Sequence, residues 1–335
     1  MHFLHEYLYF LAKTATTVVA ILIILAGIIA IATKGKQKQS GTIKIKKINS
    51  HFNDLKDTID NETLSKNDKK LIKKAKKSKD KESKNKKDKS ATTSKPRLFI
   101  IDFNGDTNAT AASSLRKTIT AILLSAKEQD EVLLRLQSPG GIVHSYGFAS
   151  SQLQRLRQAD INLTIAVDKM AASGGYMMAS VANTIIAAPF AVIGSIGVVA
   201  QIPNFHRLLD KKSIDFEQVT AGKYKRSLTF FGKNTDEGRE KMQQDLEDIH
   251  LLFQQHIMQY RPQLDMDKVA TGEHWYGEDA IKLQLIDSIQ TSDDFILNAK
   301  QSFECFKLSY LIKPTLIQKL MHGPKSLIHY WTTEY

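Results

Sequence analysis

Between Arg97 and Ala187, short and almost continuous apolar runs alternate with longer stretches in which apolar residues recur every three or four positions. The runs are RLFIIDF, EVLLRLQ, INLTIAV and TIIAAP, and the stretches between them are TAASSLRKTITAILLSA, SYGFASSQLQRLRQA and SGGYMMASVAN. A strand that is apolar on both faces must be covered on both, and parallel sheets with crossover helices achieve this. The alternation therefore predicts an α/β domain of βαβ units, with ligands bound beyond the carboxyl ends of the strands. Further on, DFEQVT (215–220) predicts another strand. TDEGREKMQQDLEDIHLLFQQHIMQY predicts one long helix ended by Arg261-Pro262. No internal repeat is evident.

Upstream of this domain the texture differs. No charged residue occurs between Lys13 and Lys34, a gap of 20 residues that includes VVAILIILAGIIAIA. At about 1.5 Å per residue the gap matches a hydrocarbon core of roughly 30 Å, so residues 1–33 read as a transmembrane anchor. A cleaved signal peptide would carry a shorter apolar core, about 7 to 15 residues, behind a more basic start. Here the preceding residues include Glu6 as well as Lys13.

The formal net charge of +12 first points to nucleic acid or a membrane surface, but its distribution argues otherwise. Lys34 to Lys95 holds 21 Lys against 8 Asp and Glu, which leaves the rest of the chain close to neutral. A nucleic-acid groove would concentrate Lys and Arg among aromatics inside the fold, and no such concentration is present. Residues 34–96 have too few large apolar side chains to offset their ordering entropy, so they read as a Lys-rich disordered linker with a helix near 67–77. One domain over 97–300 and a C-terminal tail over 301–335 complete the expected organisation. The tail's apolar residues suit contact with a neighbouring copy or with the membrane. The single cysteine, Cys305, excludes an intrachain disulfide.

Three glycine-rich points follow strands: QSPGG (137–141), Ser173-Gly174-Gly175, and VIGSIGV (192–198). A serine between a strand and a helix presents its hydroxyl at the strand end. Two glycines behind it leave room for a substrate, and their N–H groups can stabilise an oxyanion. The same fragment also reads as a tight turn with a capping serine. A serine nucleophile needs a base. His144 lies near the first glycine loop, and His206, His250, His256 and His274 lie in helices or loops without any diagnostic spacing. Asp168 and Asp102, at strand ends, are candidates to orient a histidine or to cap turns. Lysine is the other option, provided that burial or neighbouring positive charge lowers its ordinary value of about 10.4. AGKYKRSL (221–228) supplies Lys223 and Lys225, and by itself also reads as a basic surface turn.

Together these motifs resemble the signal peptide peptidase A family of Ser-Lys proteases, particularly its short, membrane-anchored SohB-type members. The likeness rests on SPGG (138–141), MAASGGYMMAS (170–180), IGSIGV (193–198), AGKYKRSLTFFG (221–232) and HWYGEDAIKLQLID (274–287), in that order. The resemblance implies a ClpP/crotonase-like fold of stacked ββα units. It also implies a serine endopeptidase with Ser173 as nucleophile, Lys225 as general base and Ser195 orienting the lysine. Gly141 and Gly174 match the oxyanion-hole positions. No metal or other cofactor is implied.

Expected substrates are small apolar peptides such as signal-peptide remnants or membrane-protein fragments. The expected assembly is a homo-oligomeric ring or bowl whose dyads are completed between neighbours. The expected location is the inner membrane of a Gram-negative bacterium with a periplasmic protease domain. The Lys tract opposes that orientation by the positive-inside rule, although long domains are translocated despite charge. Gln284 departs from the family, where many members have glycine. Two other readings remain open: a crotonase-type acyl-CoA enzyme on the same fold, and a catalytically silent membrane scaffold.

Overall fold

The computed structural model describes residues 2–34, 41–65, 67–71 and 95–312. They fall into two compact units, one made of residues up to Thr42 with those from Leu311 on, the other Ile43–Tyr310. In the first unit α1 (His2–Lys34) is a single helix. Its segment His5–Gly27 has a mean hydropathy of 2.1 and is long and apolar enough to cross a membrane. Thr14, Thr16 and Thr17 return their hydroxyls to the carbonyls of Phe10, Ala12 and Lys13 at 2.8–2.9 Å. The polar groups of this stretch are thereby satisfied within the helix, as a lipid environment requires.

The second unit holds the sheet. β1 (Gly41–Lys47), whose last five residues belong to this unit, leads into α2 (Ile48–Thr63). Then come β2 (Arg97–Asn104), α3 (Ala112–Ser125), β3 (Glu131–Gln137), α4 (Val143–Gln158) and β4 (Asn162–Val167). β5 (Met170–Ala172), α5 (Gly174–Ala179), β6 (Thr184–Ala187), β7 (Val192–Gly194) and α6 (His206–Lys211) follow. The chain continues through α7 (Asp236–Tyr260), α8 (Met266–Val269), β8 (His274–Tyr276), α9 (Gly277–Ala280), β9 (Ser288–Ile289), α10 (Ser292–Ala299) and β10 (Glu304–Ile312).

The main sheet has the order β1-β10-β2-β3-β4-β6-β9, and β10 through β9 are paired in parallel. A small sheet, β5-β7-β8, lies beyond the carboxyl ends of the main strands, tied to them by the bridge between Ser138 and Ala171. Each of the pairs β4–β5 and β6–β7 sends one strand to each sheet. This is the ββα repeat that the family resemblance implies.

Period-two alternation along β2 explains why two cores form. Phe99, Ile101 and Phe103 join the large cluster beneath α3, α4 and α5, with Leu115, Ile119, Leu153 and Leu156. Leu98 and Ile100 point to the opposite face, where Leu133, Ala166, Ile186, Ile296 and Cys305 are covered by Ile48 and Phe52 of α2 and by Phe295 and Ala299 of α10. Both faces are therefore buried, which is why the strands read as continuous apolar runs.

Three expectations change. Residues 41–63, assigned from composition to the linker, form β1 and α2. The Asn49 amide donates to Phe303 O at 3.1 Å and its oxygen accepts from Cys305 N at 2.7 Å, so one side chain acts as a partner strand would. Residues 304–308, assigned to the tail, belong to β10 and pair in parallel with β2, Glu304 against Arg97 through Leu308 against Ile101. Residues 215–220 form no strand; Phe216 and Val219 are exposed, and among the described residues no strand pairs with them. Of the rest of the expected linker and tail, 67–71 are helical as expected, and 35–40, 66, 72–94 and 313–335 lie outside the described residues.

Two ion pairs, each with one buried partner, tie the edges of this unit. Asp130 is 3% exposed and accepts from Arg97 N at 2.8 Å, Arg97 Nε at 3.0 Å and Lys127 N at 2.8 Å. Burial alone would raise its pKa, but the hydrogen bonds from Arg97 and Lys127 outweigh it and hold the carboxyl below the usual range. Arg261, equally buried, donates to Asp287 Oδ2 and to Gln284 O, both at 2.8 Å. Gln284 is held at φ 62°, the left-handed region in which glycine is unstrained. Replacing it should relieve about 1–2 kcal/mol of backbone strain at a cost of about 0.5–1 kcal/mol in unfolded-chain entropy. Gln284→Gly is expected to raise the thermal unfolding midpoint by a few degrees; a lower midpoint contradicts the assignment of strain.

Candidate active site

The parallel register between β5 and β7 sets Ala172 opposite Gly194, so the next residue on each strand is a serine. Neighbouring strands run about 4.8 Å apart, and Ser173 and Ser195 therefore leave the small sheet side by side. Both have φ 52°. A non-glycine residue in this region stores about 1–3 kcal/mol and persists only where its surroundings enforce it. Here Ser173 N donates to Gly194 O at 2.8 Å, Ser195 N donates to Glu273 O at 2.6 Å, and Ser173 O accepts from Met177 N at 2.9 Å. Strand, strained serine and helix follow one another without a spacer, a turn that thrusts the side chain off the strand end.

The QSPGG loop lies directly against this turn. Gly140 has φ +85°, and a Cβ there would stand 2.7 Å from both Ala172 O and Ser173 Cβ. A Cβ on Gly141 would collide with Thr107 O, and one on Gly174 with the ring of Tyr146. Gly140 N–H donates to Ser138 Oγ at 3.1 Å. Among the described residues, no acceptor is paired with the N–H of Gly141 or of Gly174.

A cleft of about 920 Å³ opens in front of Ser173. Gly140, Gly141 and Ser195 share its floor with Ser173, and α7 faces them with Gln243, Leu246, Glu247 and His250. These four positions are spaced i, i+3, i+4, i+7 and so form one helical face. That periodicity is visible in the sequence, but nothing in it says that the face lines a cleft. Of the sequence-predicted site residues, Ser173, Gly141 and Ser195 line this cleft, and Gly174 is the residue after the serine.

Lys225 does not join them. It lies in an exposed turn, its N–H donating to Gly222 O at 3.2 Å, and lines a separate cleft of about 940 Å³ with Phe216, Tyr224, Phe230 and Phe231. Its neighbour Lys223 is ion-paired with Glu237 at 2.6 Å.

The other candidates separate by their partners. Asp168 accepts from Ser292 N at 2.8 Å and Ser292 Oγ at 2.6 Å, capping the start of α10. Asp102 pairs with Arg135 at 2.6 Å and Lys307 at 3.0 Å. Both carboxylates therefore hold structure. His144 is exposed in the first turn of α4. His256 on α7 places Nε2 3.0 Å from Met177 O and 3.1 Å from Ser150 Oγ, directly behind α5. Burial pushes its pKa below the ordinary histidine value, against the opposing effect of the Met177 hydrogen bond.

Two family models and several known proteins match this chain. Residues 2–153 match the family model "Peptidase family S49 N-terminal", and residues 155–305 match "Peptidase family S49". A protein of Haemophilus influenzae named "Probable protease SohB" is 48% identical over 329 residues, covering 95% of this chain and 93% of its own length. A protein of the same name from Buchnera aphidicola subsp. Schlechtendalia chinensis is 50% identical over 305 residues, covering 89% and 100%. Among solved structures, a 1510-N membrane-bound stomatin-specific protease mutant, bound to a substrate peptide, is 15% identical with a TM-score of 0.43. The match covers 68% of this chain and 96% of that one.

The half-buried His256 carries a pH signature. Its folded pKa is depressed, so its contribution to stability is complete above the unfolded value of about 6.5 and is lost as pH falls toward the folded value. Thermal midpoints of the parent chain are expected to fall on acidification below about pH 6.5, and more steeply than those of His256→Gln. Parallel curves for the two proteins would remove His256 as the source.

Proposed function

The chain belongs to peptidase family S49, and on that footing we propose that it is a membrane-anchored serine endopeptidase using Ser173 as nucleophile and Lys225 as general base. The observation that carries this reading is the strained turn at Ser173, packed against a glycine loop with two unpaired N–H groups beside it. Ser173 Oγ attacks the scissile carbonyl while the Lys225 amine takes its proton and then delivers it to the leaving amine. Gly141 and Gly174 N–H groups donate to the oxyanion of the tetrahedral intermediate. Water then hydrolyses the acyl-enzyme by the reverse sequence. Ser195, at the equivalent point of the adjacent strand, orients the incoming lysine.

Lys225 reaches Ser173 from a neighbouring copy. Support comes from the separation of the two clefts within one chain. It also comes from the apolar side chains exposed on the segment that carries the lysine, among them Val199 (77%) and Val219 (96%). An isolated soluble chain rarely displays so many on one segment. The assembly is a homo-oligomeric ring or bowl. Val143, Val198 and Leu246 on the walls of the nucleophile's cleft suit small apolar peptide segments, such as signal-peptide remnants or membrane-protein fragments. The apolar segment His5–Gly27 anchors the enzyme in the bacterial inner membrane, with the protease domain in the periplasm.

Full-length protein in lipid nanodiscs or detergent tests the reading. Ser173→Ala and Lys225→Ala are each expected to lower kcat on a quenched fluorogenic peptide by at least about 10³-fold. A fluorophosphonate probe should label Ser173 alone. Co-assembly of the two inactive variants should restore part of the activity, because a neighbour then supplies each missing group. Undiminished cleavage by Ser173→Ala contradicts the nucleophile, and an inactive mixture contradicts the shared dyad.

A further inference from the structure

Behind the candidate oxyanion donors runs a chain of hydrogen bonds that the proposed chemistry does not itself use. Tyr146 on α4 is fully buried, and its hydroxyl lies 2.8 Å from Asp106 O and 2.6 Å from Ser138 Oγ. A backbone carbonyl only accepts, so the single phenolic proton is committed to Asp106 O. Ser138, also fully buried, must then donate its own proton to Tyr146 Oη, and its oxygen is left to accept from Gly140 N–H at 3.1 Å. The direction of every link is thus fixed: Gly140 N–H to Ser138 Oγ–H to Tyr146 Oη–H to the Asp106 carbonyl. Burial raises the Tyr146 pKa, against the Ser138 hydrogen bond that lowers it, so the phenol stays a donor across the working pH range.

The same tyrosine touches the other lip of the site. Its ring lies under Gly174 so closely that a Cβ there would overlap it. A Cβ on Gly105 would fall 2.5 Å from both Ser138 Oγ and Tyr146 Oη, so the loop after β2 also closes onto this pair. Ser138 is in turn bound to the strand that ends at the nucleophile, donating its N–H to Met170 O at 2.8 Å and accepting from Ala172 N at 3.0 Å. One side chain therefore contacts both segments whose N–H groups are assigned to the oxyanion.

Resting on the endopeptidase reading, we infer that Tyr146 is a positioning residue that sets the spacing of the two oxyanion donors, Gly141 through the Ser138–Gly140 link and Gly174 through its ring. Tyr146→Phe keeps the ring and removes one hydroxyl, leaving Ser138 without its acceptor and Asp106 O with the Ala109 N–H as its remaining donor. The loop can then shift by a fraction of an ångström, and misplacement on that scale lowers turnover by up to about 10²-fold. Substrate binding is expected to change little, because the donors' hydrogen bonds to the oxyanion gain their strength in the transition state.

The test uses the full-length assembly and a quenched fluorogenic peptide of alanine and leucine, with Ser173→Ala as the reference for background. Tyr146→Phe is expected to lower kcat about 10- to 100-fold with KM within about twofold of the parent. Ser138→Ala is expected to do the same and serves in its place should the tyrosine variant not fold. The double variant should be no slower than the slower single, since both changes cut one chain of bonds. Full kcat in both single variants, a loss confined to KM, or multiplicative losses in the double variant would each overturn the inference while leaving the nucleophile in place. Cleavage that survives Ser173→Ala would overturn the endopeptidase reading, and this inference with it.

Discussion

Everything at the site depends on two backbone hydrogen bonds that Ser138 exchanges with the three-residue strand β5. Ser138 directly follows β3 of the main sheet, and the nucleophile candidate directly follows β5. The exchange therefore locks the glycine loop to the serine turn without a side chain between them. β5 is too short to hold its own position, and its other neighbour β7 is equally short. Each is stabilised by what it is paired with. A pair of left-handed serines, at about 1–3 kcal/mol each, is tolerable only where ladders on both sides leave the chain no other path.

The scaffold was legible because its physics is local. Strands buried on both faces announce themselves as apolar runs, and β2, β3, β4 and β6 lie where those runs are. The long helix α7 begins at its Thr235 cap, whose side chain accepts from Gly238 N, and stops before Pro262. What composition hid was order borrowed from elsewhere. Residues 41–63 are polar enough to read as spacer, yet Ile48, Phe52 and the Asn49 amide suffice to seat them on a face that the rest of the domain provides. Residues 215–220 show the converse: a strand-like pattern with no ladder partner stays irregular.

The site was legible in its motifs but not in its connectivity. Glycine pairs beside serines identify close approach, and Gly140, Gly141 and Gly174 all abut atoms that would collide with a methyl group. Tyr146 was invisible as anything but a helical core residue, because its partners come from loops after β2 and β3 and its helix pattern is ordinary. Glu247 was invisible for the same reason, and His250 stood among the histidines without diagnostic spacing: a polar helical face reads as solvent-facing until another element is placed opposite. Lys225 was identified by family likeness, and its place outside the nucleophile's cleft could not have been read from spacing along one chain.

The last described strand has a consequence for how the protein comes into being. β10 inserts beside β2, and their paired residues, Cys305 and Leu98, are separated by most of the domain. Until that segment has left the ribosome, one edge of β2 has no ladder and the cluster around Ile100 and Leu133 lacks Cys305. Such distant pairing makes closure slow and leaves sticky surface open meanwhile. The nascent domain thus keeps an open β2 edge until Glu304–Leu308 has been made, and truncation a few residues before Glu304 would leave that edge unpaired for good.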